Sequence, residues 1–307
     1  MADISKNEVL IKVAYSSVNY KDALSASGNK GVTRKYPHVP GIDAAGKVVS
    51  STSENIAKGD NVIVTGYDLG MNTWGGFGEY VSVPAKWVVK LPEGLSLFEA
   101  MCLGTAGLTA GLSVYSLIRS GIGKEHGKIV VSGATGGVGS ISVAILSKLG
   151  YEVVAVSGKV EDQFITQVLG AGSIISRNEF IDTYDQKAMS KADFSGGIDT
   201  VGGSILSGII KSLKYNGAVA TCGNVASAEI STSIFPFILR GTKLLGIDSV
   251  EQPIEFKSEI WNLLAKEWKP THLKDIVKEI SIEQLPDVLT TLLVGKARGR
   301  YVVNHSL

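Results

Sequence analysis

Cysteine, histidine and net charge are the scarce features of this 307-residue chain. The two cysteines, Cys102 and Cys222, stand far apart in apolar or glycine-rich surroundings, so neither a disulfide framework nor a clustered thiolate site can be read from them. The histidines, His38, His126, His272 and His305, form no pair with a ligand spacing such as C-x-x-C or H-x-x-x-H, and a catalytic or structural zinc is not expected. No G-x-S-x-G elbow occurs, which removes the serine-hydrolase pattern. A formal net charge of +1 without blocks of like charge gives no field to attract nucleic acid or anionic lipid, so neither partner is expected. The N-terminus MADISKNEVLIK has no apolar signal core, and no run is read as approaching the roughly 20 apolar residues that span a bilayer. A cytoplasmic protein acting on a small molecule is the expectation.

With 44% hydrophobic and 19% charged residues, the chain has ordinary globular composition and enough length for one large or two ordinary domains. From Glu8 to Tyr15 the residues are apolar and strand-forming. GKVVS, NVIV and EYVSVP repeat that signal with Gly, Pro and Asp between them, so the first hundred residues read mostly as β. Beyond Leu103 the rhythm changes to KIVVS, an apolar helical pattern through Leu149, EVVAV, a helical pattern near Phe164 to Leu169, SIIS, GIDTV and AVATC. Strands alternating with helices mark a parallel sheet with covering crossovers. Helical stretches follow from Ile254 to Trp268 and around Ile282 to Leu293, then a strand near Tyr301 to Asn304. No linker separates the β-rich start from the α/β middle, so two closely packed domains are expected, with their junction as the ligand cleft.

KIVVSGATGGVGSISVAILSKLG places a glycine turn between a strand and a helix, the context that makes a dinucleotide fingerprint of a loose pattern. Against G-x-G-x-x-G it reads Ala134-Thr135-Gly136-Gly137-Val138-Gly139, with alanine for the first glycine and an extra one at Gly133. Gly136 lets the backbone approach a pyrophosphate, Gly139 lets the helix pack on the strand, and the amides of Gly137 and Val138 face the anion. The alternative is a tight strand-to-helix turn without a ligand. An Asp or Glu at the end of the second strand would bind the ribose hydroxyls of NAD. EVVAV is followed instead by Ser157-Gly158-Lys159, and Arg177 follows the third strand in SIISRNE. A hydroxyl and two cations suit a 2′-phosphate and favour NADPH, although either cation alone reads equally well as a solvated surface charge.

VNYKDALSASG at Val18 to Gly28, YPHVPGIDAAGKV at Tyr36 to Val48 and GGFGEYVSVPAKWVVKLPEGLS at Gly75 to Ser96 resemble the medium-chain dehydrogenase/reductase superfamily. VNYKD, PGIDAAG, GATGGVGS, VVAVSGK, PFILRG, LLGIDSV and GRYVV resemble more closely its zinc-free branch of YhdH/YhfP-type quinone oxidoreductases, which includes the NADPH-dependent acrylyl-CoA reductases. The resemblance runs over nearly the whole chain. It implies an α/β fold in which a Rossmann NADPH-binding domain, 104–249, is inserted in a mainly β GroES-like catalytic domain made of 1–103 and 250–307. It also implies a homodimer joined through the Rossmann sheet edge near LLGIDSV. Zinc-dependent relatives carry G-H-E where this chain has Gly41-Ile42-Asp43, and a four-cysteine lobe that it lacks. Without that Lewis acid, hydride goes from NADPH to an acceptor activated by conjugation. Family members usually have roughly twenty more residues ahead of VLIKV. A shortened reading frame, a truncated chain and a real variant fit equally, and the first would leave a strand edge exposed.

By the same resemblance Tyr20 lies near the nicotinamide and its ribose, with Asn19 beside it. Thr135, Gly136, Gly137 and Val138 form the pyrophosphate loop, and Ser157, Lys159 and Arg177 surround the adenosine phosphate. Asn224, Ile238 and Ser249 line the cofactor wall; Ile238 could equally be core and Ser249 a strand-end hydroxyl. Reduction of an enoyl thioester builds negative charge on the carbonyl oxygen, which needs hydrogen-bond donors and then a proton at the α-carbon. Tyr20 is the first candidate donor, against a plain packing role, with Lys21 as electrostatic helper and solvent as another proton source. Asp22 is expected to fix the local turn. Lys30, Arg34 and Lys35 could meet the phosphates of coenzyme A, though solvated loop charges explain them too. Two alternatives stay open: a general enone or quinone detoxifying reductase, and an NADPH-binding regulatory protein with little turnover.

Overall fold

The computed structural model describes residues 5–158 and 162–307, so Lys159 lies outside the described residues. The chain forms two compact units. The first runs up to Leu108 and takes in Ser249–Lys266 and Leu273–Leu307; the second is Thr109–Asp248 with Glu267–His272.

The first unit begins with β1 (Glu8–Val18), in which Val9, Ile11 and Val13 are buried at alternate positions. That period of two is a strand facing a core on one side. β2 (Asp43–Ser51), β3 (Asn61–Thr65), β4 (Tyr80–Pro84) and β5 (Val88–Lys90) follow. Val48, Val62, Val64, Val81 and Val83 close over the same cluster; burying a Val or Ile side chain contributes about 1.5–3 kcal/mol. One α-helix interrupts this β-rich stretch and a second follows it. α1 (Tyr20–Ala26) follows Asn19 directly. α2 (Leu97–Arg119) is broken at Gly104, whose φ of 54° only glycine adopts freely. At 23 residues and mean hydropathy 1.5, α2 is long and apolar enough to cross a membrane, contrary to the expectation that no run approaches that length. It is a core helix: 78% of its apolar window is buried within the protein.

The second unit carries β6 (Lys128–Ser132), α3 (Gly137–Lys148), β7 (Val153–Ser157), β8 (Ser173–Ser176), α4 (Arg177–Tyr184), β9 (Phe194–Asp199), α5 (Gly203–Ser212), β10 (Leu213–Thr221), α6 (Phe235–Arg240) and β11 (Lys243–Gly246). The strands pair in parallel in the order β11-β10-β9-β6-β7-β8. Every residue of β7 and β9 is buried, as strands covered on both faces must be. The chain runs outward from β6 to β8 and returns to β9 beside β6, so the strand order reverses between β6 and β9. In such sheets the crevice at the carboxyl ends of those two strands takes the ligand. The helical pattern near Phe164 to Leu169 is a single π-helical turn, Phe164–Val168.

Back in the first unit, α7 (Ile254–Ala265), β12 (Val277–Ile280), α8 (Leu285–Leu293) and β13 (Arg300–Asn304) complete the chain. β13 pairs antiparallel with β1 (Tyr15↔Asn304 to Val18↔Tyr301), which joins the two ends of the sequence in one sheet. α7 stops short of Trp268, whose ring packs at 6.5 Å from Tyr115 of the second unit, and Lys148 Nζ donates to the Lys269 carbonyl at 2.7 Å. Those two contacts place residues 267–272 with the second unit rather than with the C-terminal part.

Candidate active site

In the second unit, β6 delivers the chain into a turn at Gly133 (φ 59°), closed by the Gly136 amide donating to the Gly133 carbonyl at 2.9 Å. α3 starts at Gly137 with Gly136 as N-cap and no side chain spent on capping. The first-turn amides are therefore left to an anion, the arrangement that binds phosphate groups. Gly139 has to be glycine, since a Cβ there would lie 2.2 Å from the Gly133 carbonyl oxygen. Thr135, Gly137 and Val138 are half-buried and Gly136 is exposed, so the turn presents its backbone outward.

One strand along, β7 ends at Ser157, which is buried at 3% exposure. Its parallel partner across the ladder is Ser176, the N-cap of α4, whose hydroxyl accepts from the Glu179 amide at 3.1 Å. Arg177, the first residue of α4, is exposed, and its guanidinium carbon lies 3.5 Å from where a Gly158 Cβ would stand. A cation thus leans on the residue after β7, where an NAD-selective acid would be. At the ends of β10 and β11, Thr221, Cys222, Gly223, Asn224, Gly246, Ile247 and Asp248 line a cavity of about 540 Å³. Asn224 belongs to it, whereas Ile238 on α6 is 65% exposed and is not core. Cys222 is not a ready nucleophile, because burial foremost and then the charge of Asp199 push its thiol up to about 12.

In the first unit the N-terminus of α1 is locked by buried polar groups. The Asp22 carboxylate accepts from the Asn19 amide at 2.7 Å and from the Ile42 amide at 2.8 Å, so it fixes the turn and ties it to the Gly41-Ile42-Asp43 strand start. Asp43 accepts from the Ser17 hydroxyl, Asn19 Nδ2 at 2.8 Å, the Thr105 amide at 2.8 Å and the Thr105 hydroxyl at 2.5 Å. Arg300, itself buried, donates to Asn19 Oδ1 at 3.2 Å and to the Val18 and Cys102 carbonyls. Both ends of the Asn19 amide are therefore engaged inside the unit. Tyr20, by contrast, is 43% exposed, and Lys21 is half-buried. Ser249, where the chain re-enters this unit, is buried; the next carbonyl, of Val250, accepts from buried Lys257 Nζ at 2.8 Å and the Tyr67 amide at 3.3 Å. Lys30 lies 4.5 Å over the Tyr36 ring and donates to the Arg34 carbonyl.

Asp43, Thr105 and Arg300 were not singled out by residue type. Their signal is weak: one acid inside PGIDAAG, one arginine inside GRYVV, and partners from 24 to 282 residues away in the sequence.

The alcohol dehydrogenase GroES-like domain matches residues 5–93, and the zinc-binding dehydrogenase family matches residues 137–266. The chain is 41% identical to acrylyl-CoA reductase AcuI of Ruegeria pomeroyi, over 99% of this chain and 92% of that protein. It superposes on the yhdH oxidoreductase of Salmonella enterica in complex with NADP with a TM-score of 0.93, at 38% identity over 98% of this chain and 92% of the other. Bacillus subtilis yhfP with NAD bound gives a TM-score of 0.93 at 46% identity, over 98% and 92%. The chain belongs to the medium-chain dehydrogenase/reductase superfamily, in the branch of YhfP and the acrylyl-CoA reductases.

A family named for zinc raises the question of a metal. Both oxygens of Asp43 are taken by N–H and O–H donors, Ile42 before it is a buried apolar side chain, and no three His, Cys, Asp or Glu stand together among the described residues. These residues do not fit a metal ion.

Burial, and next the charge of Asp43, raise the pKa of Asp22 from 3.8 to about 7. Because the folded-state value lies above the unfolded one, the stability it contributes is complete below pH 3.8 and is lost as pH rises through about 7. The urea midpoint of the wild type should therefore fall, relative to that of Asp22→Asn, as pH rises from about 4 to about 8. Parallel pH profiles for the two proteins would assign the titration elsewhere.

Proposed function

We propose that this chain is an NADPH-dependent reductase of activated carbon-carbon double bonds, with an enoyl thioester of the acrylyl-CoA kind as acceptor. The observation that carries the cofactor choice is Arg177 leaning on Gly158 after a strand that ends in Ser157 rather than an acid. The NADP held by the Salmonella enterica relative supports it, while the NAD held by the Bacillus subtilis relative makes the preference a matter of degree. The name of the Ruegeria pomeroyi relative supports the acceptor.

When bound, NADPH supplies a hydride. Gly136, Gly137 and Val138 would hold its pyrophosphate, with Thr135 beside them. Arg177 and Lys159 would hold the 2′-phosphate. Hydride adds to the β-carbon of the acceptor, the π pair moves onto the thioester oxygen, and a proton then adds at the α-carbon. Tyr20 stands at the head of a helix whose first turn is fixed by Asp22 and Asn19, and its phenol makes no hydrogen bond among the described residues. It is free to donate to the developing oxyanion. Lys21 next to it adds positive charge to the same surface. A second reading, reduction of quinones or simple enones, is favoured by Lys30: a cation spent on the Tyr36 ring and the Arg34 carbonyl is less available to a coenzyme A phosphate. We also take the protein to be a homodimer through β11. That strand is an edge of its sheet, and Ile234, Phe235, Ile238, Leu239 and Leu244 near it are exposed, a larger apolar surface than a monomer usually leaves to water.

Acrylyl-CoA is expected to give the highest kcat/KM for NADPH oxidation in a panel with quinones and simple enones, and Tyr20→Phe to slow single-turnover hydride transfer by about a hundredfold. NADPH binding with no turnover of any acceptor would leave the regulatory binding protein as the answer.

Arg177→Ala should weaken NADPH by about tenfold and leave NADH unchanged, measured by nucleotide fluorescence. Equal affinity of the wild type for both nucleotides would remove the phosphate argument.

Leu244→Arg is expected to convert a dimer to a monomer in sedimentation velocity at micromolar protein, since it places a charge on the paired edge. A dimer unaffected by the substitution would put the interface elsewhere.

A further inference from the structure

Behind the glycine turn stands a carboxylate with no cation among its hydrogen-bond partners in the described residues. Asp199 is the last residue of β9 and is fully buried. Its Oδ1 accepts from the Ser132 hydroxyl at 2.7 Å and the Val201 amide at 3.4 Å; its Oδ2 accepts from the Gly202 amide at 2.8 Å and the Thr221 hydroxyl at 3.3 Å. These donors come from the ends of β6 and β10 and from the turn into α5, which are the strand ends around the point where the strand order reverses.

Each donor continues into the candidate cofactor site. The Ser132 hydroxyl accepts from the Thr200 amide at 2.9 Å, and the Ser132 carbonyl accepts from the Thr200 hydroxyl at 3.1 Å. That hydroxyl lies 2.3 Å from where a Gly133 Cβ would be, so the start of the glycine turn rests on the residue next to Asp199. On the other side Thr221 and Cys222 open the 540 Å³ cavity, and the Cys222 amide donates to the Asp199 carbonyl at 3.0 Å.

We propose that Asp199 is a positioning residue for the nucleotide: its negative charge holds the glycine turn and the Thr221–Asn224 wall at the spacing that binds the cofactor. It touches no ligand and acts through Ser132 and Thr221. An asparagine would do this less well, because whichever way it turns its NH₂ end faces a main-chain N–H, that of Val201 or that of Gly202, where a carboxylate oxygen now accepts. A protonated aspartic acid has the same fault. The proposal rests on the reading of Gly136 to Val138 as the pyrophosphate cradle.

Burial raises the pKa of Asp199, against the lowering effect of its hydrogen bonds. Around it β6 presents Ser132, the turn into α5 main-chain amides, and β10 Thr221 and Cys222. The Cys222 thiol, pushed up to about 12, stays neutral at lower pH. Nucleotide affinity should therefore fall on acidification as Asp199 takes up a proton.

The test is nucleotide dissociation constants by fluorescence from about pH 8 down to about pH 5, with NADPH and NADH in parallel so that titration of the 2′-phosphate itself can be subtracted. In Asp199→Asn both nucleotides are expected to bind about tenfold more weakly at the alkaline end. The pH dependence that the wild type shows with both is expected to disappear. Ser132→Ala, a fully buried position, keeps the charge and should weaken both by about threefold, which keeps the test decisive if the first variant does not fold. Ser132→Ala with wild-type affinity, or a folded Asp199→Asn with wild-type affinity and pH profile, overturns the proposal. Gly136→Asp tests the cradle separately: a Cβ there meets only the Gly133 carbonyl at 3.3 Å, and its carboxylate would repel the pyrophosphate. No loss of affinity in that variant would remove the cradle, whereas loss in that variant alone would remove only the role of Asp199.

Discussion

A carboxylate taken out of water loses hydration worth several kcal/mol, and it stays ionised only where fixed donors replace that shell. Each unit of this chain buries such a group. Asp43 takes donors from β1, the cap of α1 and the break in α2; Asp199 takes them from β6, β10 and the turn into α5. In both cases the donors belong to segments distant in sequence, and in both they are the segments that carry candidate functional groups. The cost of burial is thus coupled to geometry: if one donor moves, the carboxylate is left under-satisfied, so the strand ends are held more tightly than their own ladders would hold them.

The two aspartates differ in their counter-charges. Asp43 has Arg300 close by, and Asp22 adds a second acid to the same cluster, so one arginine faces two carboxylates. Burial of that surplus negative charge is what raises Asp22 to about 7. Among the described residues Asp199 has no such partner and depends on neutral donors alone. The first cluster can therefore take up a proton at Asp22. Among the described residues the second has only Asp199 to protonate.

Glycine supplies the other constraint. Gly104 breaks α2 so that the Thr105 amide is free to reach Asp43, and a Cβ at that position would overlap the Ser17 hydroxyl. Gly139 lets α3 press onto the Gly133 carbonyl. Of these two, only Gly139 was legible in the sequence, because it belongs to a local strand-turn-helix pattern. The same is true of the fold at large. β6, β7 and the alternating face of β1 announce themselves by apolar runs, and the resemblance implied that the two ends of the chain share a domain, though not that β13 pairs with β1. α1 and α2 did not, since NYKDALSA has no helical apolar stripe and α2 contains three glycines. Tertiary packing, not local propensity, makes them helices. Asp43, Thr105, Arg300 and Asp199 were invisible for a related reason: their partners are long-range, and a lone buried acid has no pattern in sequence.

This division bears on the chemistry. A metal would polarise the acceptor oxygen directly, and the position following Gly41-Ile42 holds a carboxylate already saturated by donors. What is left at that surface is the phenol of Tyr20, which makes no hydrogen bond among the described residues, on a helix start fixed by Asp22. A hydrogen-bond donor of that kind supplies less stabilisation than a metal ion would, and an enolate, whose charge is spread by conjugation, needs less of it than the localised alkoxide of a simple carbonyl. The residues that do not fit a metal ion and the residues that fix the start of α1 at Tyr20 are the same cluster, so both properties of that surface follow from how the first unit buries Asp43.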